Sequence, residues 1–172
     1  MELIDVLTPD GARTGTRKPK AEVHRDGDWH RAAHLWIVQR DGRLLLQRRS
    51  SLKENWPGLW DISVAGHVSA GEEPEAAAVR EAGEELGLAV NRDDFLHIGT
   101  TREQYVLNGG AYLDNEFQEI FVLTRDVDLG ALVLDPNEVE AVAFAAPDEL
   151  ARFDLVPHAE EYALLRRYLQ SC

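Results

Sequence analysis

Cysteine is almost absent: the 172-residue chain has one, Cys172, at its last position. No disulfide can form within the chain, and a reducing, cytoplasmic compartment is the default expectation. Basic charge is also scarce. Eighteen Lys and Arg stand against 31 Asp and Glu, a formal net charge of -13. That deficit argues against non-specific binding to nucleic acid or to an anionic membrane, since both need basic surface. An anionic ligand would need local Lys or Arg, or metal ions. Long apolar runs are missing: no stretch approaches the ~18 residues that span a bilayer. The start, MELIDVLTPDG, lacks the basic-then-apolar order of a signal peptide. There is no internal repeat and no low-complexity tract. The length suits one domain, residues 1–172, with a sizeable core. A homodimer is the default assembly, on the prior that such dimers are the commonest.

What is present reads as strands with helices interspersed, a mixed α/β layered domain. Residues 2–7 and 12–17 form an N-terminal hairpin (2–17) around the turn TPDG. Residues 18–31, KPKAEVHRDGDWHR, read as polar and irregular. Two apolar runs around Asp41-Gly42 signal a second hairpin. A loop over 50–60 closes at Pro57-Gly58, and DISVAGHV follows as a short strand. The next helix spans 73–86, with Pro74 in its first turn and Gly87 as its stop. Ala76, Val79, Gly83 and Leu86 recur at helical spacing as its buried face. Strands are expected near 94–107, 116–124 and 139–145, then a C-terminal helix over 157–170 with Tyr162, Leu165 and Leu169 on one face.

The stretch GHVSAGEEPEAAAVREAGEELGL, residues 66–88, carries the chemistry. Glu81, Glu84 and Glu85 crowd the C-terminal end of a helix, where the dipole disfavours anions by ~0.3–1 kcal/mol each. At three- and four-residue spacing they are neighbours on the helix surface. A divalent cation would turn their repulsion into a site, and Mg²⁺ takes such oxygen ligands beside substrate phosphates. The competing reading, a solvated acidic face, explains the charge but not its placement. The stretch resembles the Nudix box, G-x5-E-x7-R-E-U-x-E-E-x-G-U, at every fixed residue; Ala82 is a small first aliphatic residue. The resemblance implies a Nudix-type α/β/α sandwich with a mixed β-sheet and a loop-helix-loop catalytic box. It implies Glu81, Glu84 and Glu85 as ligands of Mg²⁺ or Mn²⁺, with the Gly66 carbonyl nearby. Glu72 and Arg80 would form a supporting ion pair. The implied activity is hydrolysis of the diphosphate linkage of a nucleoside diphosphate derivative or other organic diphosphate, by water attack on phosphorus. The general base varies in position among members and stays open here.

The segments HRDGDWHRAAHLWIV, LLLQRRSSLKENWPGLWDISVAGH and DNEFQEIFVL look like the Nudix branch that contains isopentenyl-diphosphate isomerase, and like the Nudix domain that precedes a dipeptidyl-peptidase III domain in plants. The likeness to the isomerases implies a second metal group of His24, His30, His67, Asp114 and Glu116, and diphosphate contacts from Arg49 and Lys53. Imidazole donors suit a softer ion, Zn²⁺, Mn²⁺ or Fe²⁺. Loop histidines and loop cations are commonly only solvated, so these roles stay open. Trp56 and Trp60 are placed to stack a base, to line an apolar pocket, with Trp60 facing an isoprenoid diphosphate, or to pack their own loop. One departure counts against isomerisation: the isomerase's catalytic cysteine falls at Ala65, which has no proton to transfer. The alternatives to a hydrolase are an isomerase-like enzyme using another acid and a non-catalytic nucleotide-binding module.

Overall fold

The computed structural model describes residues 2–172. Strands β1 (Leu3–Leu7) and β2 (Arg13–Pro19) form an antiparallel hairpin. Its turn places Gly11 at φ +92°, a left-handed conformation that suits glycine. The chain then departs from the sequence expectation. Residues 18–31 are not irregular: Lys20–Asp26 form helix α1, closed by Gly27 at φ +74°, and β3 (Trp29–Val38) begins directly after it. A seven-residue helix is too short to show a period, and tertiary burial of Val23 and His24 holds it.

β3 is the hub of a mixed sheet. It runs parallel to β8 (Tyr112–Thr124) along its whole length, from Trp29 opposite Asn115 to Val38 opposite Thr124. It pairs antiparallel with β6 (Val64–His67). β4 (Leu44–Arg49) follows the Asp41-Gly42 turn and pairs with β5 (Trp60–Asp61) and β9 (Val139–Ala145). β7 (Phe95–Leu107) pairs with β8. The expected strand DISVAGHV is broken in two. Between the pieces, Ser63 Oγ accepts from the Ile37 N–H at 2.8 Å and donates to the Leu45 carbonyl at 2.5 Å, so the chain passes from β4 to β3.

Helix α2 (Pro74–Leu86) covers one face of the sheet over Leu35, Ile37, Val64, Phe121 and Leu123. Helix α3 (Ala159–Gln170) covers the other over Trp36, Ile120 and Val122. This is an α/β/α sandwich. The buried face of α2 is not the one expected. Ala77, Ala78, Ala82 and Leu86 are buried, whereas Ala76 and Gly83 are exposed and Val79 is half-buried. Glu85 also turns to the sheet and is buried. The helix is therefore rotated toward its carboxylate side, against the face that apolar period alone selects.

Side chains on the α3 face change character along the strands. Every second residue of β3 reads His30, Ala32, His34, Trp36, Val38, and of β8 Asp114, Glu116, Gln118, Ile120, Val122. The apolar ends lie under α3, and the ionic ends extend beyond it. One strand register thus gives both a core and a polar floor.

Candidate active site

An open cleft lies over the ionic ends, and the C-terminal half of α2 forms one of its walls. Glu81 lies against Gly66; a Cβ at Gly66 would come within 2.3 Å of the Glu81 carboxyl carbon. Glu85 is 4% exposed, and its Oε1 accepts from the Ala65 N–H and from Gln47 Nε2, both at 3.1 Å. Burial, with the charge of Glu81 added, pushes the Glu85 pKa up to about 8. Burial raises Glu81 to about 7 although Arg80 opposes it. Glu84 is the exposed member and reaches Arg80 at 3.3 Å. Arg80 makes two bonds of 2.9 Å to Glu72 and donates to the His67 carbonyl at 3.0 Å and to Glu81 at 2.7 Å. The box residues therefore meet, and the raised values of Glu81 and Glu85 mark carboxylates whose ionised form burial disfavours, in Glu81 in spite of Arg80. That is the electrostatic condition a divalent cation satisfies. Gly66→Ala should displace Glu81 and lower turnover by ~10–100-fold with the fold intact, since a shift of about 1 Å can cost that much. Steady-state kinetics beside a thermal melt check it; full activity would show that Glu81 moves freely.

The second expected group also converges. His24 is not in a loop but on α1, 3% exposed, and His30 is fully buried on β3. The donor nitrogens of His24, His30 and His67 lie within 4.8 Å of one another, and so do donor atoms of His30, Asp114 and Glu116. His24 Nδ1–H donates to the Lys20 carbonyl and His30 Nδ1–H to the Asp28 carbonyl, both at 3.1 Å. Carbonyls only accept, so each Nδ1 carries a proton and each Nε2 is turned inward, that of His24 toward the Tyr112 hydroxyl at 3.1 Å and that of His30 toward Glu116 Oε2 at 3.2 Å, the positions a metal ion would take over. Burial, reinforced by His30, lowers the His67 pKa well below the usual value and keeps its ring neutral. Asp114 Oδ1 is buried without a hydrogen-bond partner among the described residues, 3.4 Å from His30 Nε2 and 3.6 Å from His24 Nε2. An orphaned carboxylate oxygen among inward-facing imidazoles fits a cation.

Arg49 and Lys53 border the cleft, each with an acidic partner. Arg49 bonds Asn55 Oδ1 at 2.7 Å and Asp61 at 3.3 Å, and Lys53 pairs with Glu138. Trp60 stands elsewhere: its ring packs edge-on to Phe153 at 5.2 Å, in the core beneath α3. The indole on the cleft wall is Trp56, at φ +50° in the loop that Arg49 braces through Asn55.

Sequence reasoning missed five further ionisable residues, four of them buried and Glu103 half-buried. His158 Nε2 is 3.0 Å from Asp61, and its Nδ1 is 2.8 Å from Glu103. His34 Nδ1 is 2.7 Å from Glu161 Oε1, and Glu161 Oε2 accepts from Trp36 Nε1 at 2.9 Å. Their partners are far apart in sequence, so no local motif announces them. The alternation of His34 with Trp36 on one strand face was the available signal.

Comparison with known proteins accords with this geometry. The chain is 45% identical over 155 residues to Nudix hydrolase 3 of Arabidopsis thaliana, covering 88% of this chain and 20% of that protein. It thus spans about a fifth of that relative's length. It is 34% identical over 149 residues to an isopentenyl-diphosphate Delta-isomerase of Streptomyces griseus, covering 87% of this chain and 73% of the isomerase. Among solved structures, a MutT NUDIX hydrolase from Burkholderia pseudomallei superposes with a TM-score of 0.63 at 26% identity, over 80% of this chain and 96% of that one. The family model of the NUDIX domain matches residues 28–165, and the chain belongs to the Nudix family.

Proposed function

We propose that the chain is a divalent-metal-dependent pyrophosphohydrolase that cleaves a nucleoside diphosphate derivative or another organic diphosphate by water attack on phosphorus. The observation that carries the reading is the complete box carboxylate set at one cleft, with Glu81 and Glu85 raised to about 7 and about 8, chiefly by burial, and Glu85 also by the charge of Glu81. Glu81, Glu84 and Glu85 would hold Mg²⁺ or Mn²⁺. The chemistry a bound ion supplies there is polarisation of a phosphoryl oxygen and neutralisation of the leaving phosphate. Arg80, tied to Glu72 by two bonds, sets the rotation of α2 and so the direction of the carboxylates. Arg49 and Lys53 border the same cleft and would offer positive charge to the diphosphate. Ala65 offers no proton beside that site, which disfavours the isomerase alternative.

His24, His30, His67, Asp114 and Glu116 fit a second, softer ion, Zn²⁺, Mn²⁺ or Fe²⁺. Replacing His24 and His30 together by Asn should remove that ion from the purified protein, read by elemental analysis. Unchanged metal content would reduce both histidines to structural residues.

The reading is tested by phosphate release, with a coupled phosphatase where products are monoesters. The panel is ADP-ribose, dinucleoside polyphosphates, NADH, nucleoside triphosphates, coenzyme A and isopentenyl diphosphate, each with Mg²⁺ and with Mn²⁺. Turnover of at least one substrate is expected. Silence across the panel with tight nucleotide binding would favour the non-catalytic module.

A further inference from the structure

Water attack needs a group that takes the water's proton, and most cleft carboxylates are already committed. Glu81 faces Arg80, Glu138 faces Lys53, and Glu85 is enclosed by the Ala65 N–H and Gln47. Asp61 accepts from the Ile62 N–H, His158 and Arg49, and these cations hold its pKa far below the usual range in spite of burial. Glu116 is taken up by His30 at 3.2 Å and Gln118 at 3.0 Å. Such anions are weak bases.

Glu103 differs. It projects from β7 directly opposite Glu116 on β8, and Gln118 Nε2 donates to both carboxylates at 3.0 Å. That shared amide sets Glu103 beside the histidine–acid cluster. Its side chain is 9% exposed and borders the cleft. Among the described residues its one ionic partner is His158, whose Nδ1 lies 2.8 and 3.0 Å from the two oxygens. The other ring nitrogen faces Asp61 at 3.0 Å. With a carboxylate at each nitrogen, both nitrogens donate and the ring is an imidazolium. Asp61 is held in turn by Arg49. The chain Arg49–Asp61–His158–Glu103 holds Glu103 at the cleft border, where Oε1 is bonded to His158 alone among the described residues and keeps acceptor capacity to spare.

We propose that Glu103 is the general base of the hydrolysis and His158 its positioning residue. The assignment rests on the hydrolase reading above. As the water oxygen forms its bond to phosphorus, one O–H bond breaks and the proton passes to a Glu103 oxygen. The bridging P–O bond breaks, and its electron pair leaves on the departing phosphate. Neither oxidant nor co-reactant is needed. Glu103 later returns its proton to solvent.

The test uses the panel substrate that wild type cleaves, with Glu103→Gln, Glu103→Ala, His158→Gln and, for comparison, Asp135→Asn, another cleft-bordering carboxylate, whose own N–H donates to the Glu85 carbonyl. Glu103→Gln should lower kcat by ~10²–10⁴-fold, the usual contribution of a general base, and leave KM within about threefold. Added formate should restore kcat of Glu103→Ala by about tenfold or more, by standing in for the missing carboxylate. His158→Gln should lower kcat by a smaller factor, with no response to formate, because it leaves the base in place but unoriented. Binding of inorganic pyrophosphate, followed by calorimetry, should be unchanged in both Glu103 variants, which separates a lost base from a lost fold. Retention of kcat within about threefold in Glu103→Gln would overturn the assignment. So would a formate-insensitive Glu103→Ala, or a larger kcat loss in Asp135→Asn. A wild type silent on every substrate would instead remove the hydrolase reading, and this assignment with it.

Discussion

Glu85→Gln should lower turnover by ~10³-fold, about 4 kcal/mol of transition-state stabilisation, while the metal-free protein stays folded. The amide keeps the shape of the side chain and an oxygen that accepts from the Ala65 N–H, now 3.1 Å from Glu85 Oε1. What it loses is charge. Without a bound cation that charge is a burden, because Glu85 is buried and titrates near 8 rather than near an ordinary glutamate. The folded state therefore keeps a proton that the unfolded chain releases between about pH 4.5 and 8. The penalty is absent below that window, grows through it and is complete above it. Glu81, raised to about 7, adds to it. His34, raised to about 8 by Glu161 against the effect of burial, works in the same direction: its stabilisation is full below its unfolded pKa and is lost as pH rises through about 8. Stability of the metal-free wild type should fall between pH 5 and pH 8 by on the order of a few kcal/mol. Mg²⁺ or Mn²⁺ should reverse part of the fall by binding the ionised folded form. Melts of wild type and Glu85→Gln across this range isolate the share of Glu85: the variant's slope should be flatter and its response to metal weaker. Parallel slopes, or full activity in the variant, would contradict the assignment.

Glu161→Ala should destabilise the protein by about 3–5 kcal/mol, the usual result of removing one partner of a buried ion pair. Glu161 has no exposure, and its two oxygens serve two buried groups, His34 at 2.7 Å and Trp36 Nε1 at 2.9 Å. Alanine leaves the His34 ring and the Trp36 indole N–H without their acceptor beneath α3. Glu161→Gln should cost less, because its oxygen still serves one donor. Denaturant titration with an unchanged m-value checks both. A loss below about 1 kcal/mol in Glu161→Ala would mean that water replaces the carboxylate. Since α3 carries Glu161 and follows directly on His158, the same substitution should also weaken the posture of Glu103 across the cleft.

The parts of the site that were legible share one helix and the loop just before it. Arg80, Glu81, Glu84 and Glu85 lie within two turns of α2, and Glu72 two residues before its start, so sequence spacing translates into spatial spacing. The histidine–acid group was legible only by resemblance, and its local structure was misjudged. His24 sits on a helix of one or two turns whose formation depends on burial, so its pattern reads as loop. The face of α2 was misplaced because apolar period assumes that glutamates turn outward, and here Glu85 turns in. Trp60 and Trp56 are four residues apart around Pro57-Gly58, and only the loop's course decides which of them borders the cleft. Glu103, Asp61, His158 and Glu161 were illegible for a different reason. They arrive from β7, β5, the start of α3 and α3 itself, and only the strand register brings them together.

The most direct test of the central claim is hydrolysis in ¹⁸O-labelled water, using the substrate found by the phosphate-release panel. Water attack on phosphorus predicts one ¹⁸O in a phosphoryl product, formed only with Mg²⁺ or Mn²⁺ and lost in Glu85→Gln. Label in the organic product's alcohol, marking C–O cleavage, or metal-independent labelling that persists in Glu85→Gln, would contradict the account.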